Sequence, residues 1–172
     1  MIFLAVLALA TFCVSLALAL RGRFDARRAA RIGFAVALAF AGVSHFLMSA
    51  PFVQHLPPWV PMRLEVVYAT GVIEVALGAA LLLPRPWRRR AGWATAWYLV
   101  AVFPGNLYVA VANVDVDGQP GGVYPWLRLP FQVLFIAWVL WSTKDNATDG
   151  FGLPSSSDGC DEGASDSWAS AT

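Results

Sequence analysis

Apolar residues in this chain do not alternate with polar ones. They gather into five long runs, at about 2–20, 32–49, 64–84, 91–112 and 126–142, parted by short polar, basic or proline-rich segments. A helix rises about 1.5 Å per residue, so about 20 residues cross a hydrocarbon core of about 30 Å. The first, third and fourth runs reach that length. The second and fifth fall a little short, and local thinning or interfacial aromatics must help them; Trp126, Trp138 and Trp141 near the ends of the fifth fit that role. No run shows the two-residue alternation of a membrane strand, and a helix satisfies its own backbone groups, as hydrocarbon demands. The pattern therefore predicts an all-α membrane protein with five transmembrane helices.

Between the runs, the segment APFVQHLPPWVPMR (50–63) predicts a non-helical connection at the membrane interface, with His55 exposed on it. The segment NVDVDGQPGGVYP (113–125) is a second connection, carrying Asp115 and Asp117. Residues 143–172 hold six acids against Lys144 among many serines and glycines, which predicts a disordered acidic tail.

Composition makes the membrane reading hard to avoid. Hydrophobic residues are 58% of the chain and charged residues 13%, against about 25% charged in a soluble domain. That leaves too little polar surface to cover the molecule in water. The first run could be a secretory signal, with Ala17-Leu18-Ala19 as a cleavage site, but no basic residue precedes it; a retained first span is expected. Cys13 and Cys160 belong to no paired motif, so neither a disulfide nor a metal site follows from them.

The charges are segregated. Arg21, Arg23, Arg27, Arg28 and Arg31 lie between the first and second runs, Arg85, Arg88, Arg89 and Arg90 between the third and fourth, and Lys144 after the fifth. Only Arg63 and Arg128 fall in the opposite connections, so ten of twelve basic residues share one side. The positive-inside rule makes that side cytoplasmic, with the N-terminus outside and the C-terminus inside. The arginine runs can also touch anionic lipid. The sequon Asn146-Ala147-Thr148 then falls on the cytoplasmic side, where it carries no glycan.

Polar side chains inside the runs are few. Glu74 lies ten residues into the third run, about 15 Å below its outer boundary, where an ionised carboxylate is costly. Thr70, Gly71, Glu74 and Gly78 share one helical face of small or polar residues, which should pack inward. His45 shares a face with Ala41 and Gly42, about 6 Å deep. Asn106 follows Pro104 and Gly105, a pair that loosens the helix, and Asn113 falls on the same face. Arg128 and Gln132 are neighbours one turn apart. His45, Glu74, Asn106, Arg128 and Gln132 thus come from four helices at one level, and can converge on a polar pocket with Arg128 at its mouth and Glu74 at its floor. The plainer alternatives are a neutral hydrogen-bonded Glu74 and His45, amides serving as interhelical glue, and an Arg128 whose head snorkels to the surface. No nucleophile–base pair, phosphate loop or metal cluster is visible.

At these residues the chain resembles the DoxX-like family of small four-helix membrane proteins, to which the membrane subunits of quinone-linked thiosulfate oxidoreductases are related. The matching stretches are FAGVSHF (40–46), LPPWVP (56–61), VYATGVIEVALGAALLLP (67–84), VFPGNLYVA (102–110) and LRLPFQVLFIAW (127–138), in family order. The resemblance implies an antiparallel four-helix transmembrane bundle over residues 32–142, with residues 1–31 adding an N-terminal transmembrane helix and a basic cytoplasmic loop, and residues 143–172 the tail. It carries over to the same five polar residues. Some members of that family are tied to quinone reduction or oxidative-stress complexes, and others resemble assembly factors.

Three functions remain open. The first is a component of a membrane redox system that holds a quinone or similar lipophilic ligand and takes electrons from a partner protein. The second is a non-enzymatic scaffold or assembly chaperone for another membrane protein. The third is a small-solute or proton transporter built on Glu74, which the lack of an internal repeat disfavours. Whether the chain is an enzyme is left undecided by its residues. The expected location is the cell membrane, with the bilayer as first partner and no nucleic acid.

Overall fold

A computed structural model describes residues 2–144, apart from Arg23, Gly118, Pro120 and Gly121. The acidic tail, its sequon and Cys160 lie outside the described residues. Within them the chain is all helical: α1 (Ile2–Leu20), α2 (Ala26–Leu47), α3 (Ser49–Gln54), α4 (Arg63–Ala80), α5 (Trp87–Val111) and α6 (Tyr124–Thr143). Four of these, α1, α2, α5 and α6, are long and apolar enough to cross a membrane. The third predicted span is helical as α4, but differs in charge, carrying Arg63, Glu65 and Glu74 in 18 residues. The expectation of a non-helical 50–63 segment needs correction: its first part belongs to the six-residue helix α3.

Local chemistry sets several of the boundaries. Asp25, in an extended conformation, accepts a hydrogen bond from the Arg28 amide at 3.1 Å and so caps α2. Pro125 stands in the first turn of α6, where the missing donor costs nothing. Beyond α5, Asn113 takes a left-handed backbone conformation (φ 48°) and is exposed, so it does not share a helical face with Asn106 as the spacing suggested.

The helices pack in antiparallel pairs. Closest is α2 on α4, where two glycines face one another. A Cβ on Gly42 would lie 2.6 Å from the Gly71 carbonyl oxygen, and one on Gly71 would lie 2.8 Å from His45 Cβ. No other residue permits that approach, which lets the two backbones touch. Further down the pair, Gly78 meets the Ala35 carbonyl. Helix α1 crosses α2 at Thr11 and Gly33, and α5 meets α6 at Gly92 and Thr143.

Where α1, α2 and α6 converge, Phe3, Phe34 and Phe135 form an edge-on aromatic cluster with centroids 4.9–6.4 Å apart. Leu7, Leu38, Leu81 and Val139 complete the buried core beneath it. The indole of Trp138 donates to the Ala30 carbonyl at 3.2 Å, tying α6 to α2. Outside this core the helices turn large apolar residues outward, among them Leu9, Phe12, Val72, Trp97 and Val133, each more than half exposed. Five helices bearing such faces form an exterior suited to hydrocarbon rather than water.

Candidate functional site

One cavity of about 830 Å³ opens among the helices, and every helix contributes to its wall. Most of the lining is apolar, from Phe3 and Leu4 of α1 through Leu38 of α2 to Phe131 and Phe135 of α6. Into this wall are set all five residues singled out by depth and face: His45, Glu74, Asn106, Arg128 and Gln132. They do not form one cluster. They divide into two poles and a bridge.

The first pole lies between α2, α4 and α5. Its centre is Glu74, whose Oε1 accepts a hydrogen bond from the Tyr98 hydroxyl at 2.8 Å. The second carboxyl oxygen, Oε2, is buried and has no hydrogen-bond partner in the protein. It lies 3.5 Å from His45 Nδ1. That nitrogen donates to the Ala41 carbonyl at 2.8 Å, one turn back on its own helix, so its proton is already committed. A neutral His45 then carries its lone pair on Nε2. The ring is buried and stacks on Phe52 of α3, centroids 3.9 Å apart. A buried acceptor with no donor is a costly arrangement unless a proton or a bound molecule answers it. Glu74 Oε2 therefore marks a place where a donor from elsewhere is wanted.

The second pole is built around Arg128. Its Nη1 donates to His55 Nε2 at 2.7 Å and to Gln119 Oε1 at 2.8 Å. A guanidinium can only donate, so His55 Nε2 accepts, and the His55 Nδ1–H donates to the Pro51 carbonyl at 2.7 Å. Both contacts of His55 require the neutral ring. Burial, followed by the neighbouring Arg128 charge, pushes its pKa down from 6.5 to about 4, although the Pro51 bond opposes this. Of the five guanidinium N–H groups, two are spent on Nη1; the Nε and Nη2 groups have no partner among the described residues. Those two nitrogens present parallel N–H bonds on one edge, the geometry that grips an oxygen acceptor in two-pronged fashion. No carboxylate among the described residues pairs with Arg128.

Between the poles, Asn106 of α5 donates to Gln132 Oε1 of α6 at 3.1 Å, and Gln132 Nε2 donates to the Leu99 carbonyl. Leu99 lies in the turn before Pro104, whose ring removes a helical donor and loosens the ladder there. These two amides spend their principal bonds holding α5 to α6. A second latch joins the connections on either side: Gln54 Nε2 donates to Asp117 Oδ2 and the Asp117 amide donates to Gln54 Oε1, both at 2.8 Å.

One expectation changes, and one residue of the site is new. His55, expected to be exposed, is half-buried against the cavity because Arg128, 73 residues away, uses it as an acceptor. Arg128 lines the cavity, its head bonded to His55 and Gln119 of the two connections. Tyr98 was not singled out at all, although a phenol inside an apolar run is itself a signal, since its hydroxyl must find a partner when buried. Among the described residues no three His, Cys, Asp or Glu side chains come together as a metal site.

The described residues, all-helical and with most of their long helices able to cross a bilayer, thus surround an apolar cavity with a carboxyl at one pole and a guanidinium at the other. Residues 34–143 match the family described as a domain of unknown function, DUF8561, and the chain belongs to that family. No curated protein and no solved structure matches the chain.

Proposed function

We propose that this is a multi-span cell-membrane protein of DoxX type whose cavity holds a quinone or a similar lipophilic molecule as part of a membrane redox system. On this reading α1, α2, α4, α5 and α6 all cross the bilayer, α4 accepting its charges because Glu74 faces the cavity and Arg63 and Glu65 stand at its end. The basic ends of α2 and α5 then lie in the cytoplasm.

The observation that carries the reading is the pairing of unmet hydrogen-bonding groups inside an apolar cavity of about 830 Å³. Among the described residues, Arg128 offers N–H groups without partners and Glu74 offers a buried oxygen without a donor. Ligand sites are commonly apolar clefts of about 300–1,000 Å³ with a few such placed polar groups. A quinone has carbonyl oxygens that take donors, and its reduced form has hydroxyls that give them, so both kinds of group are used by one ligand ring. When bound, such a molecule supplies the electron chemistry.

The chain's own residues do the rest. Arg128 holds a ligand oxygen, with its plane fixed by His55 and Gln119. Glu74 and His45 receive or return a proton at Oε2 and Nε2, and Tyr98 keeps the carboxyl in place. The apolar wall excludes water. Electrons pass to or from a partner protein, since the cavity's side chains provide donors, acceptors and proton positions only.

The test is made on protein purified in mild detergent, extracted with organic solvent and analysed for retained lipophilic molecules by mass spectrometry. Wild type runs beside Glu74→Gln and His45→Ala. A stoichiometric quinone in the wild type, depleted in both variants, is the expected result. No specific molecule in any of the three would turn the reading toward a scaffold for another membrane protein.

A further inference from the structure

Among the described residues that line the large cavity, Arg128 is the one permanent cation, and its bonding partners are neutral. Its Nη1 donates to His55 Nε2 at 2.7 Å and to Gln119 Oε1 at 2.8 Å. Neither partner brings a charge: Gln119 is an amide, and the His55 ring gives its own proton to the Pro51 carbonyl at 2.7 Å. Tyr124, one turn earlier on α6, adds a phenol. The carboxylates of the neighbourhood are placed elsewhere. Asp117 accepts from Gln54 Nε2 at 2.8 Å, and its amide bonds back to the same side chain. Asp115 is exposed. Glu74, at the opposite pole of the cavity, takes the Tyr98 hydroxyl and lies 3.5 Å from His45.

A partly buried guanidinium among neutral partners is an unbalanced charge, and apolar surroundings make that costly. A bound anion balances it; a neutral carbonyl does not. The Nε and Nη2 groups, without partners among the described residues, lie on one edge of the guanidinium plane. That edge grips two oxygens held side by side. A plain quinone carries its carbonyls on opposite sides of the ring, so it offers the edge one oxygen and no charge. A quinone with an acidic hydroxyl next to a carbonyl offers two adjacent oxygens and, once ionised, a negative charge. A fatty carboxylate offers these too, but its chain is apolar throughout, whereas Glu74 and His45 set polar groups into the far wall. A ring with a further oxygen on its far side suits that wall.

Resting on the cavity reading above, we propose that the preferred ligand is an acidic hydroxyquinone. It is bound as its anion, with the ionised hydroxyl and the adjacent carbonyl on the Nε–Nη2 edge of Arg128. His55 and Gln119 fix the plane of that edge from the other side. Arg128 is then the residue that selects among lipophilic rings by charge.

The experiment uses full-length protein in detergent micelles at neutral pH, with calorimetric titration and empty micelles subtracted. The probes are naphthoquinone, a hydroxynaphthoquinone that is ionised at this pH, its methoxy ether, and decanoate. The ether keeps the ring and the added oxygen but not the charge. Wild type should bind the hydroxynaphthoquinone about tenfold or more tightly than the ether. Arg128→Gln should bind the two alike. The comparison of the two probes on wild type needs no variant, so it decides even where Arg128→Gln folds poorly. Equal affinity of wild type for the hydroxynaphthoquinone and the ether would overturn the proposal and leave the quinone reading standing. A preference kept by Arg128→Gln would overturn it as well, by placing the anion elsewhere. Decanoate binding as tightly as the hydroxynaphthoquinone would overturn the ring and make a lipophilic carboxylate the occupant. Binding of none of the three quinones would remove both this proposal and the reading beneath it.

Discussion

Tyr98 and Glu74 face each other across α5 and α4, the phenol donating to the carboxyl at 2.8 Å. It is the side-chain hydrogen bond that joins these two helices, which otherwise flank the cavity with little direct packing between them. The bond both fixes the carboxyl and leaves its other oxygen turned toward His45. Removing the phenol hydroxyl with Tyr98→Phe should cost about 1–2 kcal/mol. Glu74→Gln keeps an acceptor for Tyr98 and should cost less. Glu74→Leu removes the acceptor, and thermal unfolding in detergent of Tyr98→Phe, Glu74→Leu and the double variant closes a cycle that measures the coupling. Equal, additive losses would mean that the two side chains do not interact.

The α2–α4 contact should be the least forgiving place in the molecule. Gly71→Leu would drive a side chain into His45 and the Gly42 carbonyl, for which backbone and not a flexible tip must move. A destabilisation of about 1–3 kcal/mol or more is expected from such overpacking, with low yield of folded protein. Gly22→Ala serves as the contrast, because a Cβ there meets nothing within 4 Å. Its left-handed backbone (φ 65°) still limits the cost to local strain. Expression and thermal unfolding of the two variants side by side settle the comparison.

Gln132 and Asn106 should behave as a unit. Gln132→Leu leaves the Asn106 amide and the Leu99 carbonyl without their partner inside the bundle, at a cost of about 1–3 kcal/mol. Adding Asn106→Leu removes one of those orphaned groups, so the double variant should lose less than the sum of the singles. Unfolding free energies of the three variants check this. A strictly additive result would sever the bridge between α5 and α6.

How much of this was legible beforehand follows from what each signal depends on. Hydropathy is a property of every residue along a span, so the five runs locate the long helices well; the first run coincides with α1. The small-residue face of α4 pointed to Gly71 and Gly78, both buried. Boundaries governed by single capping contacts were less visible: α2 begins at Ala26 because Asp25 caps it, before the apolar run itself starts. Helix α3 was hidden by the prolines around it. Least legible were contacts between distant loops. Nothing near His55 announces that Arg128 will use it, and nothing near Gln54 announces Asp117. The five polar residues could be placed at one level by counting along helices, but their division into two poles and a bridge depends on helix rotation, which counting does not give.

His55 makes the Arg128 pole sensitive to acid. Its ring is held neutral by two contacts, with a folded pKa of about 4 against 6.5 in a free chain. The unfolded chain therefore binds the proton first. Stability from this residue is complete above about pH 6.5 and is lost as pH falls toward 4. His55→Gln can still accept from Arg128 but does not titrate. Melting temperatures from pH 4 to pH 8 should drop more steeply on the acid side for the wild type than for His55→Gln. Parallel curves would place the ring in solvent instead.

The most direct measurement asks whether the large cavity is where a lipophilic ligand sits. Ala41 lines it and is only partly buried, so Ala41→Phe fills space in the cavity while leaving His45, Glu74 and Arg128 unchanged. A short-chain benzoquinone is titrated into wild type and variant in nanodiscs, with intrinsic tryptophan fluorescence as the readout. Binding at least tenfold weaker in Ala41→Phe, at an unaltered melting temperature, is the expected result. Equal affinity in the two proteins would contradict the cavity as the binding site.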